Sequence, residues 1–287
     1  MRYHRPVIID IHTHIFPPEV RDQRDEFLRQ DEGFRELYSR AEAQIATAEE
    51  LLASMDEAGV DRSVACGFAW RDAELCRRHS DYLLEAAAGS GGRILPFVIV
   101  QPSHEETRDA LKRYAAKGAI GLGELRPEQQ GYRLIDSEEA DLLAWGSDAY
   151  DLTLLFHASE PAGHVYPGKS GLPLDQLYRF IADFPGVNVI AAHWGGGLPF
   201  YALMPEVREA MARTYVDTAA TSLLYGPEVY ARVADLIGAD KILFGSDFPL
   251  VSQERALQDV RDASIDDETR ALILGENARR LLRLANG

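Results

Sequence analysis

The sequence predicts an α/β protein folded as one (β/α)8 barrel. Three observations predict it. Eight short apolar, β-branched runs recur along the chain, amphipathic segments of helical period lie between them, and 287 residues suit one large barrel or two ordinary domains. The near-continuous hydrophobicity of the runs is what parallel strands covered on both faces require. An open doubly wound sheet has the same periodicity, but eight strand–helix units in a chain of this length favour closure.

In chain order the expected strands are residues 7–14, 62–70, 94–101, 119–125, 152–158, 187–193, 214–218 and 242–247. Thr47 with Glu50, and Ser103 with Glu106, have the spacing of capping boxes at helix starts. Gly59 and Pro185-Gly186 mark returns to a strand. No interdomain linker, low-complexity tract or short repeat interrupts the pattern, so residues 1–287 read as a single barrel. Residues 16–46 exceed a minimal barrel. This charged stretch, punctuated by Phe27, Leu28, Phe34, Leu37 and Tyr38, reads as a helical insertion. It is either a surface decoration or a cap near the catalytic mouth, where loops that follow barrel strands sit.

Composition narrows the partners. Apolar residues make up 46% and charged residues 26%, a balance that supports a substantial core in a soluble protein. A net charge of -16 repels phosphate backbones and argues against nucleic acid. No run reaches the ~18–20 apolar residues of a membrane span. The start, Met1-Arg2-Tyr3-His4-Arg5-Pro6, has no signal-peptide pattern, and Cys66 with Cys76 do not make a disulfide framework. The expectation is a cytoplasmic protein with a small-molecule substrate and, at most, a second copy of itself as a homodimer.

The chemistry-bearing residues stand at the predicted strand ends. Asp10-Ile11-His12-Thr13-His14 closes the first strand. Residues two apart share a strand face, so His12 and His14 point together into the barrel mouth and can hold one zinc-sized ion. Alone, that spacing arises by chance. Glu124 closes the fourth strand, His157 the fifth, His193 the sixth and Asp247 the eighth, which neighbours the first when a barrel closes. Buried His, Glu and Asp without partners cost several kcal/mol by rough estimate, and a metal removes that cost.

The Asp-Ile-His-Thr-His strand, the Ala-His-Trp-Gly-Gly-Gly run at 192–197 and the Phe-Gly-Ser-Asp-Phe-Pro run at 244–249 resemble the amidohydrolase superfamily. The branch most similar is the amidohydrolase-related family that includes aminocarboxymuconate-semialdehyde decarboxylase. The likeness extends over essentially the whole chain, including residues 56–60 and 275–282. It implies a divalent metal, most often zinc, on His12, His14, His157 and Asp247, with His193 as acid/base or second-metal ligand. The chain departs from the decarboxylases at Gly121-Leu122-Gly123-Glu124, which resembles TatD-type hydrolases whose strand-four glutamate bridges two metals. Six candidate ligands exceed the usual four-coordinate capacity of one zinc, so one tightly held ion with room for a second is expected.

Weaker signals surround this set. Residues 163–170 match the phosphate-loop pattern formally, but Gly171 and Pro173 oppose the helix that motif needs. The segment reads instead as the loop after strand five, with His164, Tyr166 and Lys169 in reach of a substrate or simply solvated. Arg126 suits a substrate carboxylate or a salt bridge. Trp194 and Trp70 suit a pocket wall or a packed core. Asp217 reads as structural, and Cys66 as core.

Hydrolysis of a small amide, lactone or ester is the function the sequence alone ranks first. Asp247 takes a proton from a metal-activated water, and His193 orients the water or stabilises the oxyanion. Nonoxidative decarboxylation of a small aromatic or muconate-like acid uses much the same site and is the alternative. A non-catalytic metal- or ligand-binding barrel is a third reading, opposed by the intact acid/base set.

Overall fold

A computed structural model describes residues 7–169 and 172–285. The first six residues, and Ser170 and Gly171 of the phosphate-loop look-alike, lie outside the described residues. Eight parallel strands form one sheet in sequential order: β1 Ile9–His14, β2 Arg62–Cys66, β3 Ile94–Val98, β4 Gly121–Leu125, β5 Thr153–Phe156, β6 Val189–Ala191, β7 Thr214–Asp217 and β8 Ile242–Leu243. Ile11 N–H donates to Phe244 O (2.8 Å), Asp247 N–H to His12 O (2.9 Å) and His14 N–H to Phe248 O (2.7 Å), and these bonds join β8 and its exit to β1. The result is the expected (β/α)8 barrel. No helix of the described residues is long and apolar enough to cross a membrane.

Every expected strand is present, but most are shorter at their carboxyl ends. Their side chains sort into two layers. Ile9, Ile11, Val64, Leu95, Phe97, Leu155, Ile190 and Leu243 fill the barrel interior, while a larger cluster, among it Val98, Leu122, Phe156 and Val216, packs against the helices. Burial of both faces explains the unbroken apolar runs.

The helix starts divide. Thr47 N–H donates to Glu50 Oε2 (2.7 Å) at the head of the helix Ala48–Ala58, and Gly59 ends it in the left-handed region (φ 73°). The second expected box is not formed. The helix begins later, at Thr107, and Ser103 Oγ donates to Glu139 instead (2.8 Å). The helix after the look-alike loop begins only at Leu174, so no helix terminus faces a phosphate there.

Residues 16–46 contain three short helices: α1 Pro18–Asp22, α2 Arg24–Gln30 and α3 Glu32–Tyr38. Their apolar residues are drawn to the carboxyl end of the barrel. Phe34 stacks on Trp70 (5.1 Å between centroids) and on Tyr38 (4.6 Å), and meets Phe16 and Phe68 edge-on. Trp70, considered above as a pocket wall, is packed inside this aromatic cluster. His79 ties it to the barrel. Its Nδ1 accepts from Phe68 N–H and Trp70 Nε1–H (both 3.1 Å), and its Nε2 donates to Ile15 O (2.7 Å).

Burial lowers the His79 pKa to about 4, against the opposing pull of the Ile15 carbonyl. Below the unfolded value of ~6.5 the unfolded chain binds a proton that the folded chain refuses, so His79 makes stability fall as pH drops from about 6.5 to about 4. The full effect is on the order of 3 kcal/mol. Glutamine retains an acceptor and a donor but does not titrate. In denaturant unfolding, His79→Gln should therefore lose less stability than wild type between pH 7 and pH 4.5. Equal losses would refute this account.

Candidate functional site

Strand alternation alone would misplace half of the site. Ile9 and Ile11 face the interior, so strict period two would turn Asp10, His12 and His14 towards the helices. Asp10 does face that way, accepting from Ser246 Oγ (2.6 Å) and Gln253 Nε2 (2.8 Å). Between Asp10 and Thr13, however, β1 advances three residues while β2 advances two, from Ser63 to Ala65. This one-residue bulge swings His12 and His14 over the barrel axis. A second bulge, between Leu122 and Leu125 of β4 against Leu154 and Phe156 of β5, does the same for Glu124. It requires Gly123, whose φ is +152° and where a Cβ would lie 2.7 Å from Leu155 O.

The other strands deliver their residues just past the last ladder pair. His157 follows β5 directly. His193 and Trp194 follow β6 with φ of 55° and 57°, and Asp247 follows β8 with φ of 68°. Such left-handed backbone is uncommon for these residue types and concentrates at functional sites. Asp217, read from the sequence as structural, is the buried brace of the group. Its Oδ2 is 2.9 Å from His12 Nδ1, and its Oδ1 accepts from the backbone N–H of His193 (2.8 Å) and Ala219 (3.1 Å).

Among the described residues two three-donor groups result, both containing His12. One is His12, His14 and Asp247; the other is His12, Glu124 and His193. In the first, His12 Nε2 and His14 Nε2 are 3.0 Å apart, and Asp247 Oδ1 lies 3.7 and 3.4 Å from them. Metal–ligand bonds of about 2.0–2.1 Å at tetrahedral angles place donors roughly 3.3 Å apart, so the group fits a small divalent ion. Asp217 keeps the His12 proton on Nδ1 and turns the Nε2 lone pair inward, the usual arrangement of a metal-binding imidazole. His14 Nδ1 is buried without a hydrogen-bond partner among the described residues.

Charge points the same way. Burial disfavours a proton on His12, yet the carboxylates of Asp217, Glu124 and Asp247 outweigh it and push its pKa up to about 10. Burial likewise opposes charge on Asp247 and Glu124, but the surrounding histidines hold both carboxyls below their usual range. The pocket demands positive charge, which a divalent ion would supply.

His157, Glu124 and His193 line the facing wall. Glu124 Oε1 is 2.8 Å from His157 Nδ1 and 3.5 Å from His193 Nε2. His157 stands aside from both donor groups, because its Nε2 is engaged by Ser159 Oγ and Gly168 O (2.9 Å each). His193 Nδ1 faces Ala219 O at 3.3 Å, which leaves Nε2 towards the mouth.

The five expected substrate-binding residues separate. His164, Tyr166 and Lys169 line a cavity of about 430 Å³ beside the centre. Arg126 is buried nearer the donors, with Nη2 donating to Gly168 O (3.0 Å). Trp194 does not wall the cavity: it is fully buried, its indole N–H donates to Thr221 Oγ1 (2.9 Å), and Tyr230 packs edge-on against it. Sequence reasoning missed Asp217's role and the part of α3. Glu36 Oε1 accepts from Gly168 N–H (2.9 Å), which holds the residue whose carbonyl meets His157 and Arg126. Asp217 carried a usable signal, a carboxylate at a strand end, whereas nothing in the charged α3 segment distinguished Glu36.

Two outcomes test the centre. The His12→Ala, His14→Ala double variant should lose its metal on elemental analysis. Asp217→Asn should remain folded yet bind metal roughly 10–100-fold more weakly, because the His12 tautomer is no longer fixed. Full metal occupancy in the double variant would remove the first donor group.

In Penicillium expansum, 6-methylsalicylic acid decarboxylase shares 30% identity over 111 residues, 32% of this chain and 33% of that protein. The match thus spans about a third of the curated relative's length. The fold matches 5-carboxyvanillate decarboxylase from Sphingomonas paucimobilis at a TM-score of 0.80 and 18% identity, covering 98% of this chain and 100% of the other. It also matches a manganese-bound dihydroxybenzoic acid decarboxylase from Polaromonas sp. JS666 at 0.76 and 19%, covering 99% and 98%. The amidohydrolase family model matches residues 9–284. With that match over nearly its whole length, the chain belongs to the amidohydrolase family and is a metal-dependent enzyme of that superfamily.

Proposed function

We propose that the protein is a metal-dependent, nonoxidative decarboxylase of a small carboxylated aromatic acid. The observation that carries the reading is the stretch shared with 6-methylsalicylic acid decarboxylase at 30% identity. The sequence alone ranks hydrolysis first because of Glu124, and this likeness reverses the order. Zinc is the expected ion, with manganese, bound in the Polaromonas relative, as its competitor.

The geometry suits the reaction. An ion held by His12, His14 and Asp247 would supply Lewis acidity to the substrate's oxygens. Arg126, buried beside Glu124, adds positive potential for an anionic substrate. His193 is oriented by Ala219 O at Nδ1, so Nε2 is the atom that exchanges a proton with the mouth. From Nε2 a proton passes to the ring carbon bearing the carboxylate. The bond from that carbon to the carboxylate then breaks, its electron pair restores the aromatic ring, and carbon dioxide leaves. One proton is consumed per turnover, with no oxidant or reductant.

The test is carbon dioxide release by metal-loaded protein from a panel of hydroxylated benzoic acids. A substrate turned over in heavy water should gain one deuterium at the vacated carbon. No carbon dioxide across the panel, together with ring opening of lactones or cleavage of amides, would overturn the reading.

Hydrolysis stays as the second reading on one observation, the position of Glu124. Its Oε1 lies 3.8 Å from His12 Nε2, 3.5 Å from His193 Nε2 and 2.8 Å from His157 Nδ1, suited to a carboxylate shared between two ions. In that case Asp247 would take the proton of an attacking water. Elemental analysis of wild type and Glu124→Gln at saturating zinc separates the two. One tightly bound ion, unchanged in the variant, is the expected result, whereas two ions falling to one would favour the hydrolase.

A further inference from the structure

The cavity of about 430 Å³ is not part of the donor set but is continuous with it along the chain. Glu160 lies three residues beyond His157, and Gly196 three residues beyond His193; both line the cavity. The glycine run explains the opening. Gly195, Gly196 and Gly197 have φ of 62°, 56° and 88°, which side chains rarely adopt. A Cβ on Gly196 would stand 2.7 Å from Ser159 O. The run lets the loop after β6 press on the loop after β5 without filling the space between them.

The walls are mainly apolar, and Tyr166, Phe200, Tyr201 and Tyr225 stand among them with Leu174 and Leu224. Several polar groups among them have partners, while Glu160 Oε1 is buried without a hydrogen bond among the described residues. Tyr166 Oη donates to Glu160 Oε2 (3.0 Å), and the Tyr225 phenol faces the same carboxylate. Lys169 Nζ donates to Ala162 O (2.7 Å) and His164 O (2.6 Å). A ligand there would meet mainly apolar surface, with Glu160 Oε1 as a vacant acceptor. A space of this size is typical of small-molecule pockets and exceeds what a bare carboxylate head at the donors would use.

We infer that this cavity receives an apolar extension of the substrate, a second ring or an alkyl chain, while the carboxylate lies at the metal donors. The inference rests on the decarboxylase reading only in assuming that the carboxylate binds at the centre. Binding contributed by such a remote group orients the reacting end.

The experiment uses the metal-loaded full chain and two probes, benzoate and 4-biphenylcarboxylate, with affinities from calorimetry. Wild type should bind the biphenyl acid at least tenfold more tightly. Leu224→Trp, which fills the cavity, should reduce that advantage below about twofold while leaving metal content and benzoate affinity unchanged. Phe200→Ala, which removes one aromatic wall, should reduce the advantage in part and guards against a packing artefact of the larger side chain. Equal affinities in wild type, or an undiminished advantage in Leu224→Trp, would overturn the inference. No turnover is needed, so failure to release carbon dioxide refutes the reaction and failure to discriminate refutes the cavity.

Discussion

Three carboxylates, Asp217, Asp247 and Glu124, are buried together at one end of the barrel, and their need for positive charge organises everything near them. Isolated carboxylates in such surroundings would take up protons. Here the surrounding histidines hold Asp247 and Glu124 below the usual carboxylate range, and Asp217 meets the His12 ring at 2.9 Å. The proton favoured on His12 does what a divalent cation would do more completely, since an ion can be shared by three donors. The site is thus a charge-balance problem whose solution is a metal.

Meeting that need bends the backbone. Two bulges and three left-handed residues, His193, Trp194 and Asp247, lie at the mouth, each left-handed residue costing of order 1–3 kcal/mol. The surroundings offset this with buried hydrogen bonds. Asp217 secures the His193 peptide from β7. Asp10 secures the turn before Asp247, accepting from Ser246 N–H (3.0 Å) and Ser246 Oγ, and itself pinned by Gln253. Burial raises the Asp10 pKa to about 6 in spite of these donors. Its carboxyl serves the turn's geometry, and Asp10 contributes nothing to the donor groups although it lies two residues from His12.

The barrel was legible in the sequence because burial on both sheet faces leaves a plain mark, eight apolar runs in a row. The donors were legible because His and Asp at strand ends have few other reasons to be there. Their orientation was not. His157 and Asp217 keep the parity of their strands, whereas His12, His14 and Glu124 depend on bulges, and His193 and Asp247 have positive φ. Gly123 and the run 195–197 are traces of those devices, but a glycine alone does not say which way the chain turns. Trp194 shows the converse. It sits in a motif beside His193, yet the same left-handed turn that brings the histidine in buries the indole against Tyr230.

The insertion bears on the choice of reaction. Hydrolysis needs a water held beside the centre, whereas decarboxylation releases a neutral gas and requires only that a proton be delivered to carbon. Phe16, Phe34, Phe68 and Trp70 mass at the carboxyl end of β1 and β2, and Tyr38 joins them from α3. Glu36 on the same helix reaches across to Gly168, whose carbonyl meets His157. Aromatic packing thus stands at the carboxyl ends of β1 and β2, and the Glu36–Gly168 bond ties α3 to the loop after β5. Burial strengthens every charge interaction inside, including those between His193 and Glu124. A donor set common to both chemistries, with the aromatic rings of the insertion packed beside it, is consistent with the proposed decarboxylation, which consumes no water.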